Sequence, residues 1–222
     1  MARAQRHLAE ALRMAARSRT ASYRAVEVAE EAVASAHRAP DSRSSAHRRL
    51  LAQCYSTLSM CHQDVGAFDA AIRVEQRSLR IRRGLFATEP SIFRRDLAFS
   101  LRLLGSYRLD QAKARLALRA LEESHRHYQA LPDASSDYIR MLHAASLGLA
   151  ARAQVLLGRF QKAQQSYLNA IGLLTAIFER SPQLTGTQLA PLLQQYHQLC
   201  MKWGLLFDEN LSAWIQAHRG KS

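Results

Sequence analysis

The pattern nearest to a metal centre in this chain is Glu122-Glu123-x-His125. A Glu-x-x-His spacing sets a carboxylate and an imidazole on one side of a helix, as di-iron bundles require, but those sites need a second copy on another helix. The chain has no second copy, so the run reads as a solvated helix face. His125 and His127, two residues apart, point to different sides of a helix and make poor joint ligands. Cys61 beside His62 offers the groups of a nucleophile and its base, yet adjacent helical residues do not face one another. Cys54 and Cys61, seven apart on an apolar stripe, read instead as core thiols. Trp203 and Trp214 have the ring area to stack a base or a ligand, but near the chain's end they read as apolar closure of a repeat array. No two glycines lie closer than Gly148 and Gly158, so neither a dinucleotide fingerprint nor a phosphate loop can be written. A Gly-x-Ser-x-Gly elbow and a His-Glu-x-x-His helix are also missing. The expectation is a protein that is not an enzyme and holds no cofactor and no metal.

Charge is the second chemical signal. Arg73, Arg77, Arg80, Arg82, Arg83, Arg94 and Arg95 fall within 23 residues that hold only Glu75, Glu89 and no other acid. Arg73, Arg77 and Arg80 stand at i, i+4 and i+7, hence on one side of a helix. This is either a solvated face with local Glu pairing or a contact for phosphate or an acidic surface. The whole chain has 31 Lys and Arg against 18 Asp and Glu, a formal charge of +13, which makes nucleic acid or another polyanion a candidate partner. Arg stems also cover helix faces while their heads stay in water, so charge alone decides nothing.

These groups must be positioned by helices. The 222 residues are 48% hydrophobic with only 9 Gly and 5 Pro, and no stretch alternates apolar and polar residues as a half-buried strand would, so an all-α fold is expected. Three cysteines without Cys-x-x-Cys spacing argue against a disulfide framework and a zinc site, and fit a reducing, cytoplasmic setting. The uncharged apolar stretch Ala163 to Phe178 is 16 residues and contains Gln164, Gln165, Ser166 and Asn169, too short and too polar to span a bilayer. Residues 1–24 carry six Arg against Glu10, so mitochondrial targeting is a second reading of the compartment.

Pro40, Pro90, Pro132 and Pro182 punctuate the chain at similar intervals. A period of 46 residues places Ala25, Ala71, Ala117 and Ala163 on one comb and Ala32, Ser78, Ser124 and Ala170 on a second. Small residues recur in this way where helices touch. Each unit holds two helical runs, broken at Arg19-Thr20, Val65-Gly66, Leu109-Asp110 and Gly158-Arg159, so each is a helical hairpin. One continuous domain, 1–222, is expected, with units at about 6–39, 45–89, 91–131, 135–181 and 187–218, the last a cap.

The units resemble the tetratricopeptide repeat family, in which an aromatic, Leu-Gly and an aromatic precede the turn and Ala, an aromatic and a small residue follow it. The second unit supplies Tyr55, Leu58, Gly66, Phe68, Ala71 and Ser78, and the fourth Gly158, Phe160, Ala163, Tyr167 and Ala170. The third has Leu104-Gly105, Ala117, Leu121 and Ser124, and the first Leu12, Ala25, Ala29 and Ala32. Departures are the long period, typical of long-helix variants, and Glu75 where an aromatic is expected. The resemblance implies a right-handed α-α superhelix, a solenoid of about five antiparallel hairpins, that binds a peptide or helix of a partner protein in a concave groove. First helices would line it with Glu10, Met14 and Arg17, then Ser56, Met60 and Gln63, then Arg102, Ser106 and Leu109, then Arg152 and Val155. Three arginines from three hairpins suit a peptide with spaced acidic residues and apolar anchors. Arg73, Arg77, Arg80, Arg82, Arg83, Arg94 and Arg95 would form the alternative, convex polyanion surface. A third reading is the peptide or small-ligand sensor of a bacterial regulator. Grip on acidic chaperone tails is set aside, since Asn169 and Asn210 are not at the first-helix positions that it uses.

Overall fold

A computed structural model describes residues 1–16, 18–39 and 44–218, the side chain of Arg19 apart. Among the described residues there are ten helices and no strand: α1 (Ala2–Ala15), α2 (Arg19–His37), α3 (Ser45–Asp64), α4 (Phe68–Thr88), α5 (Pro90–Asp110), α6 (Ala114–Gln129), α7 (Asp137–Leu156), α8 (Phe160–Phe178), α9 (Pro182–Trp203) and α10 (Glu209–His218). None of them is long and apolar enough to cross a membrane. They divide between two compact units, Met1–Lys113 and Ala114–Ser222.

Local chemistry sets the helix ends. Ser18, Ser44 and Ser136 accept backbone N–H groups at the starts of α2, α3 and α7, and Asp208 Oδ1 accepts the Leu211 N–H at 2.8 Å to start α10. Pro90 and Pro182 occupy the first turns of α5 and α9, where their missing N–H costs nothing. The helix stops carry the period. Among the described residues Gly66, Ala112, Gly158 and Gly204 have positive φ, at 76°, 56°, 70° and 62°, and they stand 46 residues apart. After each, the next N–H reaches back over the last turn, from Ala67 to His62 O, Lys113 to Arg108 O, Arg159 to Gln154 O and Leu205 to Cys200 O, at 2.8–3.1 Å. Three of these four positions are glycine, and Ala112 adopts the same left-handed turn with a Cβ.

The two combs of small residues are fully buried, all eight of them. Within the first unit α1 packs on α2, α2 on α3, α3 on α4 and α4 on α5; within the second, α6 packs on α7, α7 on α8 and α8 on α9. Odd-numbered helices also reach their next-but-one neighbours, α1 on α3, α3 on α5 and α7 on α9, whereas α2 and α4 do not, nor do α6 and α8. Within each unit the odd helices thus lie closer to one another than the even ones do.

The second unit has an apolar core in which Leu147, Tyr167, Ile171, Leu174, Leu189 and Tyr196 meet. Gly148 lets α7 and α9 close up, because a Cβ there would lie 2.6 Å from Leu192 Cδ2. The core of the first unit is different. Between α3, α4 and α5 sits a wholly buried carboxylate, Glu75, at the position where the repeat pattern calls for an aromatic. Ser56 Oγ and Ser100 Oγ donate to its Oε1 at 3.1 and 2.5 Å, and Ser59 Oγ donates to Oε2 at 2.6 Å. Arg82, also buried, donates from Nη1 to Ser100 Oγ at 2.8 Å and to the Asp96 carbonyl at 2.9 Å. Tyr107 OH meets Ser59 Oγ at 3.0 Å. Burial holds the Glu75 carboxyl above the ordinary carboxylate range, opposed by Arg82 and by the hydroxyls of Ser100, Ser59 and Ser56.

Candidate functional site

The chemistry-bearing residues of the sequence scatter into different environments. Cys54, Cys61 and Cys200 are all buried, and burial pushes the Cys54 and Cys61 thiols up to about 11 and about 12, so neither is a nucleophile at neutral pH. His125 is not on a solvated face. Its Nδ1 lies 2.6 Å from His143 Nε2 across α6 and α7, so a single proton is shared between two imidazoles. Burial, then the other imidazole, lowers His143 to about 4, and burial followed by Arg126 lowers His125. Among the described residues no three potential ligands come together to hold a metal ion.

The arginines of the expected convex surface part company. Arg73, Arg77, Arg80, Arg83 and Arg95 are exposed and Arg94 is half-buried over the Phe86 ring, but Arg82 points into the core. The reason is Glu75: a buried carboxylate and its hydroxyl partners need a cation, and Arg82 is two turns along the same helix face.

The residues expected in the groove also sort differently. Ser56 and Leu109 are buried, the first in the Glu75 network and the second in the core of its unit. Met60 packs half-buried against Ala71, Leu103 and Tyr107. Gln63 donates to Asp110 Oδ2 at 2.8 Å, and Glu10 accepts from Arg6 and from Thr57. Arg102 lies half-buried over the Phe99 ring, Ser106 is half-buried, and Met14 is exposed. Arg17 lies outside the described residues.

Arg152 and Val155 are brought into a cleft of about 760 Å³ in the second unit. Helix α7 supplies Arg152, Val155 and Leu156, α8 supplies Tyr167, and α9 supplies Gln195, Gln198, Leu199, Lys202 and Trp203. Trp203 is 45% exposed and stacks on Phe160, with ring centroids 3.8 Å apart, while the Lys202 ammonium sits 5.5 Å from the indole centroid. Tyr167 OH donates to Gln195 Oε1 at 3.2 Å. Burial lifts that phenol to about 12 against the opposing charge of Arg152, so it stays protonated at neutral pH. The walls thus present two cations, two amides and an apolar surface of Val155, Leu156, Leu199 and Trp203, with no acidic residue. Such a lining offers charged hydrogen-bond donors beside an apolar surface, a pairing that suits a carboxylate next to an apolar group.

Lys202, Gln195 and Gln198 were missed, and Trp203 was assigned to apolar closure, by reading the last unit as a cap that begins near residue 187, whereas α9 begins at Pro182. A signal was available: Gln195, Gln198 and Lys202 stand at i, i+3 and i+7, a polar stripe along one helix face. In comparisons with known proteins, no family model matches the chain and no curated protein is significantly similar to it.

Proposed function

We propose that the chain is a non-catalytic interaction module whose units are stacks of tetratricopeptide-like hairpins, and that it holds an acidic, apolar peptide segment or helix of a partner protein. The cleft at Arg152, Lys202 and Trp203 carries this reading, because it joins two cations to an apolar wall and offers no counter-charge of its own. A planar guanidinium takes a carboxylate in two parallel hydrogen bonds, and an exposed indole supplies contact area at small entropic cost. The position between two odd helices agrees with where arrays of this resemblance hold peptides.

The test is selection of displayed peptides on the whole protein, followed by affinity measurement of one selected sequence. Selected peptides should be enriched in Asp or Glu beside Leu, Ile or Phe. Arg152→Ala and Lys202→Ala should each weaken binding by about 1–3 kcal/mol, and Arg77→Ala on the outer side by less than about 0.5 kcal/mol. The reverse ranking, or a selection without acidic enrichment, refutes the proposal.

A further inference from the structure

The outward face of α4 holds a line of cations that the cleft does not use. Arg73, Arg77 and Arg80 project from it at i, i+4 and i+7, and all three are exposed. The next place on the same line is Gly84, and the guanidinium of Arg48, from α3, fills the space beside it. A Cβ at Gly84 would lie 2.7 Å from Arg48 Nη2, so the absent side chain makes room for a fourth cation. From residue 73 to residue 84 the helix rises about 16 Å. No ion pair holds any of these four arginines among the described residues.

Among the described residues the acids of α4 form no ion pair with this line. Glu75 is buried in its hydroxyl network, and Asp69, one turn before Arg73, accepts the Gln111 amide at 2.7 Å. Residues 1–113 hold 20 Lys and Arg against 11 Asp and Glu, a net +9 of the chain's +13. We infer that the line Arg73–Arg77–Arg80–Arg48 binds the phosphate backbone of nucleic acid, without reading its sequence. One strand of a duplex presents a phosphate about every 3.4 Å along the axis, so the line spans about five of them. A protein surface fits less well. Interfaces between proteins are centred on apolar or aromatic anchors, and none of the exposed large apolar side chains lies on α4. Apart from the arginines, the exposed side chains along the line offer only the Gln76 amide for a base edge, so contact is with phosphate alone.

The experiment is fluorescence anisotropy of the whole protein with a labelled 24-base-pair DNA duplex of mixed sequence, between 50 and 200 mM salt. Four neutralised phosphates give a slope of log K against log salt of about −3.6. Arg48→Gln, Arg73→Gln, Arg77→Gln and Arg80→Gln should each lower affinity and flatten the slope by about 0.9, on any duplex sequence. Gly84→Ala keeps every charge and adds helix propensity, yet should weaken binding by displacing Arg48. Arg24→Gln, which removes an equal charge from the Arg24–Glu27 pair on α2, should change nothing, and Arg152→Ala should leave duplex binding intact. Absence of duplex binding at 50 mM salt overturns the inference. So does an Arg24→Gln effect equal to those along the line, or line-dependent binding of phosphatidylserine vesicles or polyglutamate without binding of the duplex. Unchanged affinity in Gly84→Ala overturns the part given to Arg48.

Discussion

Replacing Glu75 by Leu removes the acceptor of three hydroxyls and the charge that opposes a buried cation, Arg82. The loss can be followed group by group. Ser59 has a substitute acceptor in the Ser56 carbonyl, 2.8 Å away, and Ser56 can turn toward Ser78 Oγ at 3.0 Å. Ser100 accepts from Arg82 and is left with only Ser78 Oγ, 3.3 Å away, to donate to, while Arg82 loses the opposing charge of Glu75 in a buried site. Stranding one member of a buried charged pair costs about 3–5 kcal/mol, which is a large part of the stability of a domain this size. Glu75→Gln keeps one acceptor oxygen, and its amide N–H groups can be taken by a turned Ser59 hydroxyl, so about 1–2 kcal/mol is expected. Adding Arg82→Met to Glu75→Leu removes the stranded cation and should return at least about 1 kcal/mol. Urea unfolding at pH 7 measures the wild type, these three variants and Arg82→Met alone. A pH dependence accompanies it. Because burial raises the folded-state value of Glu75, the stability it contributes is fully present below the ordinary glutamate range and is lost as pH rises through the raised value. The gap between wild type and Glu75→Gln should therefore narrow as pH rises. Glu75→Leu as stable as wild type, or an Arg82→Met cost that is the same in both backgrounds, refutes the reasoning.

Ala112→Gly should stabilise the protein by about 0.5–1 kcal/mol, since relief of a left-handed Cβ outweighs the added chain entropy; an unchanged urea midpoint would show that the turn is unstrained. Ala163→Leu should overpack a fully buried contact and cost about 1–3 kcal/mol by thermal or urea unfolding, and a neutral result would place the comb outside the core. The folded-state value of His143 is lowered to about 4, so the stability it contributes is present above the ordinary histidine range and lost as pH falls toward 4. Melting temperatures of His143→Gln should accordingly fall less than those of wild type between pH 7 and pH 5. Cys54 and Cys61 should resist a thiol reagent at pH 8 in the native protein and react on unfolding, and rapid native labelling would contradict their burial.

Features that repeat along one helix were legible in the residues. The eight small positions at a period of 46 mark helix contacts because only Ala or Ser fits there, and Gly66 and Gly158 mark helix stops because a left-handed residue favours glycine. The third stop was read at Leu109-Asp110, where α5 ends, but the left-handed residue that makes the turn, Ala112, carries no glycine signal, and the hydrogen bond from Lys113 to Arg108 O shows that it is the same turn. Glu75 and Arg82 defeat the one-dimensional reading for a related reason. A charged residue inside an Arg-rich helix looks solvated, and its burial depends on serines from α3 and α5 that the sequence spaces 16 to 25 residues away. The cleft was half legible. Arg152 and Val155 follow from the repeat resemblance carried onto α7, but Gln198, Lys202 and Trp203 join them only because α9 packs beside α7, where a Cβ on Gly148 would press on Leu192. Helix formation and termination are local and leave periodic marks, whereas a cleft or a buried charge belongs to surfaces from separate helices whose pairing only tertiary packing selects.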